Sequence, residues 1–340
     1  MGDLARARRP AALQHNQEAY RVRIALVFPG QGSQTVGMGR ALVGTPAGAV
    51  FAAADEALGS SLSSLIADGP ADTLDQTENS QPAILATSIA LYRAWIPAAA
   101  AAGLPTPTYF AGHSMGQYSA MVAAGVLDLA DALRLVRARG RLMQGSSPDG
   151  AMAAIIGLDD DRIPELEAIG EAAGVFTVAN RNSPGQIVVS GATASVTAAA
   201  DAAKGLGAKR AIVLPVSVAA HSPLMAAAAE WMRNELADVT FRDPVAPLLA
   251  NADSRPLTTG DACRAELIEH LTRGVDWVRA VHTMRDGGVD AFVEIGPGKV
   301  LTNLIRRIAP EARTLASDDP GAPSGVADPS SLLDQPTPTE

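Results

Sequence analysis

The first buried segment of this chain is the apolar run Ile24–Phe28, which ends at Pro29-Gly30. A continuous apolar run of this length predicts a strand that is covered on both faces, as in a parallel sheet between two layers of helices. A second buried strand is predicted at 108–111, and helical patterns fill most of the sequence between and after these strands. Strands that alternate with helices predict an α/β fold with a parallel sheet.

The pattern changes between residues 148 and 216. The predicted order there is strand, helix, two strands joined by a turn at 182–185, helix and strand. This βαββαβ order predicts a small ferredoxin-like subdomain. It interrupts a large α/β domain, which is expected to comprise residues 23–147 and 217–316. A cleft between the two domains is a natural place for a site.

Both ends of the chain are predicted to lie outside the folded body. Residues 1–22 show no clear apolar period, and residues 317–340 contain five prolines and five acidic residues but no Lys or Arg. These features predict a disordered leader and a disordered acidic tail. The leader has no apolar core of a secretory signal, although an organelle transit peptide is an alternative. No uncharged apolar run reaches the roughly 20 residues that span a bilayer, so we expect a cytoplasmic protein with no membrane partner.

Charge and cysteine content exclude some classes of function. The formal net charge of -9 argues against nucleic-acid binding, because neutralising phosphates needs a basic surface. The single cysteine, Cys263, rules out an intrachain disulfide and a multi-cysteine zinc site. We interpret it as a buried or incidental thiol rather than a catalytic one, because no motif surrounds it.

The segment Gly112-His113-Ser114-Met115-Gly116 lies between a predicted strand and a predicted helix. This is the nucleophile-elbow pattern, which predicts that the large domain is α/β-hydrolase-like. Glycines on both sides of the serine allow the backbone to turn tightly. Ser114 is then expected at a helix N-terminus, where free N–H groups stabilise an oxyanion and the Met115 N–H is the natural first donor.

A serine hydroxyl needs a base to become a nucleophile. His221 is the candidate, since it follows the small subdomain on a loop at the predicted cleft; a structural histidine is the alternative. Among the other histidines, His15 lies in the leader and His113 is expected to point away from the serine. His270 is predicted on the surface, and His282, in mid-helix, suits either core or surface.

Two further segments suggest substrate contacts. The glycine-rich loop at 29–34 lacks the lysine of a P-loop and the Rossmann spacing, so it is either a phosphate cradle or the source of a second oxyanion N–H. The second role is plausible because loops at the carboxyl ends of neighbouring parallel strands share one crevice. Arg139, one helix after the serine, is either part of a solvated basic helix end or a clamp for a substrate carboxylate.

Seven sequence segments keep the order found in malonyl-CoA:acyl carrier protein transacylases, and the chain resembles that family over about residues 23–316. It is similarly related to the acyltransferase domains of polyketide synthases. The matching segments are 28–34, 81–83, 112–116, 139–144, 182–186, 215–221 and 294–298.

The resemblance implies a ping-pong transfer from malonyl-CoA, a coenzyme A thioester, to the phosphopantetheine thiol of holo-acyl carrier protein. Ser114 would be the nucleophile and His221 the base. Backbone N–H groups of Gln31 and Met115 would form the oxyanion hole, and Arg139 would bind the malonyl carboxylate. The remaining residues that the resemblance assigns to the substrate site are Gln81, Asn182 and Ala220. No bound cofactor or metal is implied, and we expect a monomer.

Two positions depart from the family pattern. Gln117 stands where the family usually has Glu, and Asp276 stands where it often has Gln or Arg. Asp276 is predicted to orient His221, either through its main chain or as a partial third member of a triad. The small Ala220 leaves the size of the acyl group open.

Three other functions compete with malonyl transfer for fatty-acid biosynthesis. A free-standing, trans-acting acyltransferase for a polyketide synthase is an alternative within the same class. An α/β-hydrolase esterase or thioesterase requires a histidine near the C-terminus, and none follows His282. An inactive carrier-protein-binding subunit is disfavoured by the presence of Ser114, Arg139 and His221 together.

Overall fold

The computed structural model describes residues 22–146, 149–216 and 218–334. Its strands, in chain order, are β1 Ile24–Phe28, β2 Tyr109–Gly112, β3 Gly150–Ile156, β4 Phe176–Ser183, β5 Gln186–Ala192, β6 Arg210–Val213, β7 Leu248–Leu249, β8 Pro256–Leu257, β9 Val275–Asp276, β10 Ala291–Glu294 and β11 Arg313–Ala316.

Helices cover both sheets that these strands form. They are α1 Ala49–Leu58, α2 Leu62–Asp68, α3 Ala71–Asp75, α4 Thr77–Ala101, α5 Gly116–Ala123, α6 Leu129–Ser146, α7 Ile163–Ala172, α8 Thr193–Ala203, α9 Ala226–Glu235, α10 Gly260–Glu269, α11 Trp277–Asp286, α12 Val300–Ile308 and α13 Ser331–Asp334. Short 3₁₀ turns lie at Arg40–Leu42, Asp160–Arg162 and Pro223–Met225.

The larger sheet has the strand order β11-β10-β1-β2-β7-β8 and is parallel except for β8, which pairs antiparallel with β7. Strand β1 lies near its middle and is buried along its whole length. Alternate side chains of β1 enter two different cores: Leu26 lies in the core beneath α4 and α5, and Val27 lies in the core beneath α11 and α12. This explains why β1 is a continuous apolar run rather than an alternating one.

The smaller sheet has the order β6-β3-β5-β4-β9. Its first four strands pair antiparallel, and their elements follow one another as strand, helix, strand, strand, helix and strand. Helices α7 and α8 pack on one face and enclose a separate core. The fifth strand, β9, comes from the later part of the chain and pairs parallel with β4, so the two sheets are tied together at this point.

Helices α4 and α6 pack against each other beside the larger sheet. An added Cβ at Gly140 would lie 2.7 Å from the Thr77 carbonyl oxygen, so only a glycine lets α6 approach α4 this closely. By length and composition alone α4 is apolar enough to cross a membrane, but 61% of its apolar window is buried inside the protein. The apolar surface of α4 is therefore used to build the core.

The prediction of a disordered tail is wrong for the C-terminal segment at residues 317–334, which packs against the folded body. Strand β11 leads into this segment, Ser317 is buried, and the Ala327 N–H donates to the Ser317 carbonyl oxygen at 2.9 Å. Val326 and Leu332 are both buried in the main core. Proline and acidic content suggested disorder, but these two apolar side chains anchor the segment. The predicted leader, apart from Val22, and residues 335–340 lie outside the described residues.

The anchoring of the C-terminal segment can be tested with two adjacent leucines. Leu332 is fully buried, whereas Leu333 is 47% exposed. We expect Leu332→Ala to lower the free energy of unfolding by about 2–4 kcal/mol, since it leaves a cavity in the core. Leu333→Ala, the matched control, should change it by less than about 0.5 kcal/mol. Urea denaturation measures both, and equal effects would mean that the segment is not docked.

Candidate active site

Ser114 lies in the turn between β2 and α5, as the elbow pattern predicts. Its φ of 53° is in the left-handed region, which a residue with a side chain adopts only when its surroundings hold it there. The glycines on either side have no room for a side chain. A Cβ added to Gly112 would lie 2.1 Å from the backbone nitrogen of Gln117. A Cβ added to Gly116 would lie 2.1 Å from the carbonyl oxygen of Phe28. The turn thus packs tightly at both glycines, and Gly116 lies against the end of β1.

His221 lies against the serine. Its Nε2 is 2.8 Å from Ser114 Oγ, and its Nδ1 is 2.6 Å from the carbonyl oxygen of His270 and 3.1 Å from that of Arg273. Carbonyl oxygens only accept hydrogen bonds, so Nδ1 carries the proton and the Nε2 lone pair faces the serine hydroxyl. The ring is thereby held in the tautomer that a general base requires.

The surroundings of His221 keep its ring neutral. Burial is the largest cause, and with repulsion from the Arg139 cation it lowers the pKa of His221 to about 4, although the hydrogen bond to the His270 carbonyl opposes the shift. His221 is only 3% exposed. At neutral pH the imidazole is therefore unprotonated and free to accept a proton.

Arg139 points from α6 into the same site and is almost completely buried, with 1% exposure. One Nη donates to Gln81 Oε1 at 2.9 Å and the other to Ser114 Oγ at 3.2 Å. Within the described part of the chain its Nε has no hydrogen-bond partner, and Arg139 takes part in none of the ion pairs found there. A buried cation without a counter-charge is costly, so the site favours an anion beside the serine.

The two predicted oxyanion donors lie on adjacent loops. Met115 is the residue at the N-cap of α5, where backbone N–H groups are not used within the helix. The loop carrying Gln31 follows β1 and packs closely on the elbow. The contact is so close that a Cβ added to Gly30 would be 2.6 Å from the His113 carbonyl oxygen. The Gln31 side chain turns aside and donates to Thr77 Oγ1 at 3.3 Å. The loop that carries Gln31 therefore contacts the elbow at His113, and Met115 directly follows the serine. Their roles as oxyanion donors remain predictions.

Asn182 and Ala220, two further predicted site residues, lie next to His113 and His221, respectively. The Asn182 Oδ1 lies 2.9 Å from Nε2 of His113, whose ring also packs edge-on against Trp277 with 5.7 Å between centroids. Asn182 therefore fastens the smaller sheet to the elbow. Ala220 is buried directly before His221.

The family model of the acyl transferase domain matches residues 25–319. A malonyl CoA-acyl carrier protein transacylase from Escherichia coli K12 is 45% identical over 304 residues, which cover 88% of this chain and 97% of the relative. The chain belongs to the malonyl-CoA:acyl carrier protein transacylase family of acyltransferases.

Solved structures of relatives have the same mixed α/β fold. An acyl-carrier-protein S-malonyltransferase from Burkholderia pseudomallei superposes with a TM-score of 0.84 at 40% identity, covering 92% of this chain and 98% of that one. A malonyl-transacylase solved in complex with its type II polyketide acyl-carrier protein gives a TM-score of 0.81 at 39% identity, covering 89% and 97%.

The glutamine at position 117, a departure from the family pattern, is fully accommodated. Gln117 is completely buried, its Oε1 accepts from the Gly112 N–H at 3.0 Å, and its Nε2 donates to the Leu249 carbonyl oxygen at 2.9 Å. An ionised glutamate could accept the first bond but could not donate the second. The amide is thus matched to both partners and braces the elbow.

The prediction that Asp276 orients His221 is wrong. The carbonyl oxygens that accept from His221 Nδ1 belong to His270 and Arg273, which precede Asp276 in the segment between α10 and β9. The Asp276 carboxylate instead accepts from the Arg279 N–H at 2.9 Å and caps α11. Negative charge at a helix N-terminus is favourable by itself, so the carboxylate is used for capping.

The surface position predicted for His270 is also wrong. Its ring is 1% exposed and packs edge-on against the rings of Tyr118 and His221. His282 is exposed, and His15 lies outside the described residues. Cys263 is buried, and burial raises the pKa of its thiol to about 12, which agrees with an inert side chain.

Asn251 was not predicted from the sequence, although it touches the elbow directly. It follows β7, and its Oδ1 accepts from the Ser114 N–H at 2.9 Å. No motif or period distinguishes this asparagine from the other polar residues of its loop. Only the pairing of β7 with β2 brings it to the serine.

Proposed function

We propose that this enzyme transfers the malonyl group from malonyl-CoA to the phosphopantetheine thiol of holo-acyl carrier protein for fatty-acid biosynthesis, through a malonyl-serine at Ser114. The observation that carries this proposal is the buried Arg139 cation, which reaches the serine hydroxyl and whose Nε–H has no partner among the described residues. A carboxylate on the acyl group would supply the missing counter-charge. The relatives named as malonyl transacylases support the same substrates.

In the first half-reaction Ser114 Oγ attacks the thioester carbonyl carbon of malonyl-CoA. His221 Nε2 takes the hydroxyl proton as the Oγ–C bond forms, and N–H groups of Gln31 and Met115 donate to the oxyanion. The carbon–sulfur bond then breaks, and His221 returns the proton to the departing coenzyme A thiolate. The result is malonyl-serine, neutral His221 and free coenzyme A.

In the second half-reaction the phosphopantetheine thiol of acyl carrier protein occupies the place that coenzyme A has left. His221 accepts its proton, and the sulfur attacks the malonyl-serine carbonyl carbon. The carbon–Oγ bond breaks, and the serine oxygen recovers the proton from His221. Ser114 carries the acyl group itself, so neither half-reaction calls for a resident cofactor.

Arg139 is proposed to select acyl groups that bear a second carboxylate. Gln81 holds one Nη of the guanidinium, which fixes the plane of its fork. The malonyl carboxylate would displace the contact with Ser114 Oγ and leave the hydroxyl free to attack. Asn182 and Ala220 are proposed to line the pocket for the acyl chain.

Steady-state kinetics with both substrates tests the proposed function. We expect parallel lines in double-reciprocal plots of malonyl-CoA against holo-acyl carrier protein, because coenzyme A leaves before the second substrate binds. Transfer to the carrier should also be much faster than release of free malonate. Intersecting lines would contradict the malonyl-serine, and faster hydrolysis than transfer would indicate an esterase or thioesterase.

The acid limb of the pH profile should lie unusually low. Only neutral His221 can accept the serine proton, and its pKa is lowered to about 4. We therefore expect kcat/KM for malonyl-CoA to be flat from neutral pH down to about pH 5 and to fall only near pH 4, below the ordinary histidine pKa of about 6.5. Stopped-flow acylation measures the limb before the protein unfolds. A limb centred near pH 6.5 would contradict the buried, neutral base.

The architecture supports finer assignments that we also propose. The strand order β6-β3-β5-β4 supports a ferredoxin-like subdomain at residues 148–216, and the parallel sheet with Ser114 at its elbow supports an α/β-hydrolase-like domain at 23–147 and 217–316. We propose that the enzyme acts as a soluble, cytoplasmic monomer whose partner is acyl carrier protein, with no part played by nucleic acid or membrane.

A further inference from the structure

The side chain of Asn251 closes a bridge across the nucleophile's turn. Its Oδ1 accepts from the Ser114 N–H at 2.9 Å, and its Nδ2 donates to the Gly112 carbonyl oxygen at 3.0 Å. One carboxamide thus contacts the backbone at the serine and two residues before it. Asn251 is 4% exposed, so water does not compete for these bonds.

Asn251 is itself held from two other directions. Its backbone N–H donates to Oε1 of the buried Glu266 at 2.7 Å, and its carbonyl oxygen accepts from the Asp276 N–H at 2.8 Å. Helix α10 supplies the first of these partners and strand β9 the second. The carboxamide is therefore presented to the elbow from a backbone that has little freedom to shift.

The turn needs such a brace because Ser114 occupies the left-handed region. That conformation is unfavourable for a residue with a side chain and persists only where neighbouring groups hold it in place. Gln117, at the start of α5, accepts a hydrogen bond from the Gly112 N–H. Asn251, from a different part of the chain, accepts from the Ser114 N–H and donates to the Gly112 carbonyl oxygen. Because the Ser114 N–H donates to Asn251, it is the next N–H, that of Met115, that we assign to the oxyanion.

We infer that Asn251 is a positioning residue for the nucleophile: its carboxamide holds Ser114 in the conformation that aims Oγ at His221 Nε2. This inference rests on the proposed function, in which Ser114 attacks the acyl group. Asn251 touches neither Oγ nor Arg139 in the described contacts, so it acts through the serine backbone and not on the substrate.

Single-turnover acylation by malonyl-CoA, followed by quenched-flow mass spectrometry, tests the inference in Asn251→Ala and Asn251→Asp. Loss of alignment at a nucleophile slows the chemical step by about 10²-fold, which is the expected fall in rate constant for Asn251→Ala. Asn251→Asp keeps the acceptor for Ser114 but loses the donor to Gly112, and a fall of about tenfold is expected. The final fraction of acylated enzyme should stay complete in both variants.

The amplitude distinguishes positioning from folding. A purely structural role would lower the fraction of enzyme that can be acylated and leave the rate constant of the folded fraction unchanged, and that result would overturn the inference. Ser254→Ala is the matched control, since Ser254 lies in the same loop and its hydroxyl has no partner among the described residues. It should acylate at the wild-type rate, and slowing equal to that of Asn251→Ala would also overturn the inference.

Labelling of Ser114 by phenylmethylsulfonyl fluoride is measured in parallel, because it needs no malonyl group. A wild-type enzyme that reacts with this reagent but forms no malonyl adduct would refute the proposed function alone. Slower labelling in Asn251→Ala would still support the positioning role in that case. Equal labelling of wild type and Asn251→Ala would refute the positioning role, whatever the acyl donor.

Discussion

Replacement of His221 by glutamine is expected to slow acylation of Ser114 by about 10²–10⁴-fold, the usual contribution of a positioned general base. Glutamine is neutral and can still contact the serine, but its side-chain amide cannot accept and return a proton at neutral pH. The loss should appear equally in kcat and kcat/KM, because the substrate carboxylate is bound elsewhere. Acylation rates from quenched-flow mass spectrometry provide the measurement.

His282→Gln is the matched control for the base, since this histidine is exposed. We expect wild-type acylation from it. If His221→Gln acylates within about threefold of wild type, a loss far smaller than the 10²–10⁴-fold expected when a general base is removed, the serine is activated by another group. In that event the contact of 2.8 Å between His221 and Ser114 has no role in proton transfer.

Replacement of Arg139 by alanine should abolish the preference for malonyl-CoA over acetyl-CoA. Each charge-assisted hydrogen bond to a carboxylate contributes about 1.5–3 kcal/mol, so losing a two-pronged contact should reduce kcat/KM for malonyl-CoA by about 10²–10⁴-fold. Acetyl-CoA has no carboxylate, so it should lose far less. Competition between the two donors for transfer to holo-acyl carrier protein measures the ratio directly.

Arg141→Ala is the control for general loss of positive charge from α6. Arg141 lies two residues away, but it is exposed and pairs with Glu78 at 2.7 Å. We expect it to leave the donor preference unchanged. An equal loss of malonyl and acetyl transfer in Arg139→Ala would mean that Arg139 supports the site without recognising the carboxylate.

The elbow could be predicted from the sequence because its determinants are local. Strand β1, the two glycines and the following helix are each specified by residues within a few positions of one another. Arg139 is different, since Arg137 and Arg141 have the same chemistry and similar spacing on α6. The close approach of α6 to α4 at Gly140 decides which of the three arginines is buried. The residues in that contact, Gly140 and Thr77, are far apart along the sequence, so no local pattern reveals it.

The groups that orient His221 could not have been predicted from side-chain chemistry. They are backbone carbonyl oxygens of His270 and Arg273, which any residue type can supply. The residue predicted for this role was Asp276, through either its main chain or its carboxylate, but Asp276 caps a helix instead. Asn251 could not be predicted for a related reason. Its role depends on the pairing of strand β7 with β2, and β7 has only two residues, too few to show a periodic pattern.

The C-terminal segment shows where composition misleads. Proline and acidic residues lower the average hydrophobicity of residues 317–334, but folding depends on the few apolar side chains that find a place in the core. Leu332 and Val326 both do so. The strand that delivers the segment, β11, consists of only four residues and was not predicted from their pattern.

The most direct test of acyl transfer through Ser114 is the intact mass of the enzyme after brief exposure to malonyl-CoA alone. We predict that the wild type gains one malonyl group, that Ser114→Ala gains none, and that holo-acyl carrier protein removes the group and becomes malonylated while apo-carrier does not. A wild-type mass that stays unchanged while the carrier is still malonylated would contradict the malonyl-serine intermediate, as would an adduct that persists in Ser114→Ala.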